Sequence, residues 1–154
     1  MMGRARRWIL VAAALTLLLL LASCGSGGGG GNETEALSKV DYLRRGNTIC
    51  SKWQQERSDL ITELNAQYVG KTPTNGDREK AILALAQPYG KAAKKLAALP
   101  APQADAQKAK SVVTAMEKNL AAVEADPLDA LNAMPEAEKA NDLAQAYGLK
   151  ECTF

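Results

Sequence analysis

The chain has 154 residues, room for one domain, with 19 lysines and arginines against 17 acids and no histidine. Lacking histidine, it lacks the commonest general base, the commonest metal ligand and the usual physiological pH switch. A non-enzymatic protein without cofactor or metal is therefore expected. Arg4, Arg6 and Arg7 stand ahead of the first apolar run, and the rest of the chain carries 16 basic side chains against 17 acidic ones. A near-neutral body has no long-range field to gather nucleic acid or anionic lipid, so no nucleic-acid partner is expected. Abundant alanine and few aromatics favour closely packed helices over a sheet.

In chain order, residues 1–7 form a positive head, and Trp8 to Ala22 form an apolar run of 15 residues. That is shorter than the roughly 20 residues of a membrane-spanning helix and reads as a secretion signal. Leu21-Ala22-Ser23-Cys24 resembles the lipobox of bacterial lipoproteins, with Leu at −3, small residues at −2 and −1, and then the cysteine. The resemblance implies that the Cys24 thiol receives a diacylglyceryl group before cleavage and becomes the mature N-terminus. Two or more acyl chains anchor stably where one binds marginally. The alternatives are a plain secretory peptide and an uncleaved anchor with an incidental cysteine. Arg6-Arg7 is a twin arginine, but the rest of the folded-export motif is poor, so export as an unfolded chain is expected. Residues 25–34, GSGGGGGNET, suit a flexible tether spanning about 15–20 Å. The expected division is thus 1–23 signal peptide, 24–34 lipidated cysteine and tether, and 35–154 helical domain.

From Thr34 to Tyr68 there is no proline, and Leu37, Val40, Leu43, Cys50, Trp53, Leu60, Ile61, Leu64 and Tyr68 recur at helical spacing, which predicts a long amphipathic helix. Gly46 and Asn47 interrupt its stripe. A glycine there costs about 1 kcal/mol against alanine, so its expected use is close approach of a neighbour. GKTPTNG, residues 70–76, is a turn by composition. A second helix is expected from Asp77 to Leu99, burying Ile82, Leu85, Ala86, Tyr89, Ala93, Leu96 and Leu99, with a kink at Pro88. LPAP, residues 99–102, ends it. A third helix is expected from Pro102 to Ala125, with Ala109, Val112, Val113, Met116, Leu120 and Val123 inward. Asp126-Pro127 is a helix-start signal, opening a short turn through Leu128, Leu131 and Met134. Pro135 restarts the chain, and Ala137, Ala140, Leu143, Ala144 and Tyr147 carry the last helix to a stop at Gly148. Short loops between amphipathic helices predict an all-α, antiparallel four-helix bundle with a kinked second helix.

With Cys24 acylated, Cys50 and Cys152 remain. An even pair in a small exported domain points to a disulfide closing the bundle, the alternative being two free buried thiols. Because Cys50 lies roughly 15 Å along the helix from Val40, the bridge is expected to draw the end of helix 4 towards the middle of helix 1. The first turns of helix 1 would then overhang with few partners. YLRRGNTIC (residues 42–50), LAALPAP (96–102) and YGLKEC (147–152) resemble small exported helical proteins of high-GC Gram-positive bacteria, which pair an Asn-x-Ile-Cys on an early helix with a terminal Gly-Leu-x-x-Cys. This resemblance implies the fold and the disulfide, and no catalytic residue.

The remaining constellations are weak. Glu136 and Glu138 lack the histidine that a bundle metal site needs, and a solvated face is expected. Lys91, Lys94 and Lys95 read as an exposed face before they read as a contact for anionic lipid. Ser51, Ser58 and Ser111 have no base to activate them. Trp53 and Tyr89, beside Pro88, either pack as core or leave a groove for an apolar or peptide ligand. The leading expectation is a monomeric, lipid-anchored module on the extracytoplasmic face of the cell membrane, non-catalytic and acting through an envelope protein partner or as a structural element. The alternative is a lipoprotein that holds a small apolar or peptide ligand in its bundle.

Overall fold

The computed structural model describes residues 35–129 and 135–153. The chain separates into two units, Met1–Asn32 and Glu33–Phe154, and the elements below belong to the second. Helix α1 (Lys39–Tyr68) starts where Ser38 caps it: the Ser38 hydroxyl accepts from the Asp41 amide at 3.1 Å. Helix α2 (Asn75–Ala97) starts on a capping box, in which Thr74 and Asp77 satisfy each other's backbone N–H groups. A 3-10 turn (Gln103–Asp105) leads into α3 (Ala106–Ala125), and α4 (Pro135–Tyr147) ends at Gly148, whose φ of 103° is the left-handed conformation that glycine adopts freely. At Asp126 the carboxylate accepts from the Asp129 amide, as a helix cap does. Leu131 and Met134 lie outside the described residues.

The four helices form the expected antiparallel bundle, each packed on the next in sequence. Its second helix runs unbroken through Pro88, which lacks the N–H for a bond to Ala84. The core is small-residue packing around two aromatic pairs. Ala92, Ala93, Ala109, Ala140 and Ala144 are buried with Val112, Met116 and Leu96. Trp53 and Tyr89 stack obliquely with ring centres 5.0 Å apart, and Tyr42 meets Tyr147 edge-on at 6.0 Å. Pro88, Trp53 and Tyr89 are all buried, so the expected alternative of a groove beside them gives way to core. Asn119 is a buried polar side chain in that core, and it acts on the Tyr89 phenol.

The inward face of α1 keeps Cys50 and Trp53 of the expected stripe, but Val40 is 76% exposed, and Tyr42 and Gly46 are buried in its place. The first turn of α1 does not overhang. The Leu37 amide donates to the Pro100 carbonyl at 3.2 Å, and Lys39 pairs with Asp105 at 3.0 Å while its ammonium lies over the Tyr147 ring. The reason lies in the last residues. After Tyr147 has met Tyr42, the chain doubles along α1 through a 3-10 turn (Lys150–Cys152) and reaches Cys50. This tail, and not a shifted α4, spans the distance to the disulfide. It also supplies the broad contact that closes the bundle against α1.

The weakly covered end is the opposite one. Every residue from Gln54 to Gln87 is half-buried or exposed. Trp53, Tyr89 and Asn119 mark one level of the bundle. Beyond it α1 continues for 15 residues, about 22 Å, and α3 for six, about 9 Å. The ends of α1 and α2 therefore project as a two-helix hairpin, with Leu60, Ile61, Leu64, Tyr68, Ile82, Leu83 and Leu85 half-buried along it.

Candidate functional site

Of the residues singled out in the sequence, Cys24 and its tether lie outside the described residues, while Cys50 and Cys152 are joined with Cα atoms 4.9 Å apart. Around this bridge α1 presents a row of side chains to the tail. Asn47 donates from Nδ2 to the Gly148 carbonyl at 3.1 Å and accepts at Oδ1 from the Glu151 amide at 3.0 Å. Two turns further on, Gln54 donates to the carbonyls of Glu151 and Thr153 at 2.7 and 2.9 Å. Leu149 is fully buried against Gly46: a Cβ on that glycine would stand 2.5 Å from one Leu149 methyl and 3.2 Å from a Leu96 methyl. Gly46 thus serves the expected close approach, to the tail as well as to a helix. The paired sequences Gly46-Asn47-Thr48-Ile49-Cys50 and Gly148-Leu149-Lys150-Glu151-Cys152 are the two sides of one latch. Sequence reasoning took Asn47 for an interruption and missed its clamp on the tail; its place three residues before the bridging cysteine was the available signal.

Electrostatics at the bundle end tie three elements together. The Asp105 carboxyl is held below its usual value, first by its hydrogen bond from Lys39 and further by the charges of Lys39 and Lys108. Burial pushes the Tyr147 phenol up to about 12, and the charge of Asp105 adds to this. Burial likewise raises Tyr89 to about 12, opposed by the Asn119 side chain. The two phenol shifts come first from burial and the Asp105 shift first from its bond with Lys39, as packing and ion pairing produce them.

The other candidates are exposed, except Ser111, which is half-buried. Glu136 and Glu138 sit in the first turn of α4, where acids complement the helix dipole. Among the described residues no three His, Cys, Asp or Glu side chains gather as a metal site. Lys94 and Lys95 occupy the last turn of α2, the favourable place for cations. Ser51 meets the Glu151 carboxylate at 3.5 Å, and Ser111 donates to the Gln107 carbonyl at 2.9 Å.

Two surface clefts flank α3. One, of about 390 Å³, has Tyr42, Leu96, Leu99, Ala109 and Val113 in its walls and Lys110, Thr114 and Glu117 beside them. The other, of about 370 Å³, lies between α3 and α4 and is mainly polar in its side chains. Among the described residues no helix is long and apolar enough to cross a membrane. No protein-family model, no curated protein and no solved structure matches the chain, so the reading of this molecule rests on its own residues.

Proposed function

We propose that the protein is a lipid-anchored module on the extracytoplasmic face of the cell membrane, non-catalytic, acting through contacts of its helical domain with another envelope component. The observation that carries this reading is the sequence Leu21-Ala22-Ser23-Cys24 behind a positive head and a 15-residue apolar run, followed by a glycine tether and a disulfide-closed domain. A disulfide of this kind suits a compartment outside the cytoplasm. The filled core and the half-buried apolar side chains of the projecting hairpin favour surface contacts over a ligand enclosed in the bundle. The second reading, a small apolar or peptide ligand, is favoured by the cleft walled by Tyr42, Leu96 and Val113.

The anchor is tested by growing cells with an alkyne fatty acid and comparing wild type with Cys24→Ser. Label and detergent-dependent release from membranes are expected for wild type alone, with unprocessed precursor accumulating in the variant. Equal labelling of both, or recovery of unlabelled wild type in the soluble fraction, overturns the reading. Native mass spectrometry with lipid extraction separates the two roles: a tightly held apolar molecule on the domain supports the second reading against the first.

A further inference from the structure

We propose that the cleft between α3 and α4 binds a compact anion carrying several phosphate groups, held by Lys110, Lys118 and Lys139. The site is independent of the anchoring proposed above. Three lysines from two helices line this cleft of about 370 Å³, and no Asp or Glu lines it. That volume falls within the range of small-ligand sites. Lys39 and Lys108 pair with Asp105, and Arg44 pairs with Asp41, but Lys110, Lys118 and Lys139 pair with no carboxylate among the described residues. Acids are near in sequence: Glu136 and Asp142 stand one turn either side of Lys139, and Glu117, which precedes Lys118, lines the other cleft, which Lys110 and Thr114 also border. None of these three enters the lining.

The hydrogen-bonding groups suit the same ligand. Ser111 and Thr114 lie between Lys110 and Lys118 along α3, with Gln107 a turn before them, and the Ser111 hydroxyl, which now donates to the Gln107 carbonyl, can turn to an incoming oxygen. Ala115 and Leu143 form an apolar floor, which strengthens charge interactions above it. Lys110 and Lys118 are eight residues apart on α3, about 12 Å along its axis, with Lys139 across the cleft on α4. A single phosphate would have to draw all three side chains together. An anion with its charges spread over two or more phosphates need not, and lysine meets phosphate as a point charge without demanding planar geometry. A soluble oligophosphate and the phosphodiester headgroups of an anionic membrane share this chemistry.

The probe is sodium tripolyphosphate, titrated calorimetrically into the full-length protein in a neutral detergent, which keeps it in solution with or without an acyl anchor. Saturable binding is expected, weakened about tenfold or more by the triple substitution K110Q/K118Q/K139Q, and left unchanged by K91Q/K94Q/K95Q on α2. All six side chains are exposed, and unchanged helix content by circular dichroism confirms that the variants fold. Flotation with phosphatidylglycerol vesicles identifies the source: co-flotation that K110Q/K118Q/K139Q loses and K91Q/K94Q/K95Q keeps means that headgroups occupy the cleft, and co-flotation unchanged by K110Q/K118Q/K139Q means that a soluble anion does. Absence of binding at low salt, or binding that survives K110Q/K118Q/K139Q or is lost in K91Q/K94Q/K95Q, overturns the proposal.

Discussion

Replacing Cys152 by alanine severs the latch at its covalent point, and the structure sets the size of the effect. The bridge spans 102 residues. For a loop of that length the chain-entropy relation puts the stabilisation at about 4.7 kcal/mol, and loss of a native disulfide from a small domain costs about 2–5 kcal/mol. Against a total stability of about 5–15 kcal/mol, this is a third of the folding free energy or more. With an unfolding entropy of about 2.1 cal/mol/K per residue, a loss of roughly 3–5 kcal/mol lowers Tm by roughly 12–20 °C for a domain of this size. Guanidinium unfolding measures it directly, on oxidised wild type, on wild type with reductant, and on Cys152→Ala. The last two should agree. Both should show a steeper dependence on denaturant than oxidised wild type, because the unfolded chain without its bridge exposes more surface. A Cys152→Ala stability within about 1 kcal/mol of wild type would refute the view that the tail is what closes the bundle.

Asn47→Ala removes both hydrogen bonds that grip Gly148 and Glu151 and should destabilise the oxidised protein by about 2 kcal/mol in urea unfolding. A change below about 0.5 kcal/mol would show that water replaces the clamp. On the acid side, Asp41, Asp77 and Asp105 are all held below the ordinary carboxylate value of 3.8, each first by a side-chain hydrogen bond. Their contribution is present above that value and lost as pH falls through the depressed ones, so Tm should decline below about pH 5. On the alkaline side, Tyr89 and Tyr147 are raised from 10 to about 12, so their contribution is complete below pH 10 and lost as pH rises towards 12. Ionisation of these two phenols near 10, followed by ultraviolet absorbance on Tyr→Phe variants, would contradict their burial.

Where the chain's signals were local, the sequence read well. Gly148 marked a helix stop, Pro135 a restart, and the alanine-rich faces of α3 and α4 pointed inward as their spacing predicts. What was not legible was the path of the tail, because five residues after a helix stop carry no periodicity. That one unknown displaced two conclusions. It made Val40 look inward, since steps of three from Leu37 to Leu43 describe a stripe equally well, whereas the tail covers the face of Tyr42, Gly46 and Cys50. It also made the start of α1 look unsupported. The glycine on the buried face was the clue, as only a neighbour inserted at Gly46 gives a glycine reason to stand there. The consequence reverses the expected order of stability along α1. Its first turns are tied by Leu37 to Pro100, by Lys39 to Asp105 and by Tyr42 to Tyr147, whereas Leu60 to Tyr68 pair with α2 on a hairpin with no fully buried residue. Local opening needs little free energy where few apolar contacts are lost. Native-state hydrogen exchange on the oxidised protein should therefore protect amides around Tyr42 to Trp53 most and those from Leu60 to Tyr68 least. Equal protection along α1 would mean that something else covers the hairpin, and stronger protection at Leu60 than at Gly46 would mean that the tail does not hold α1.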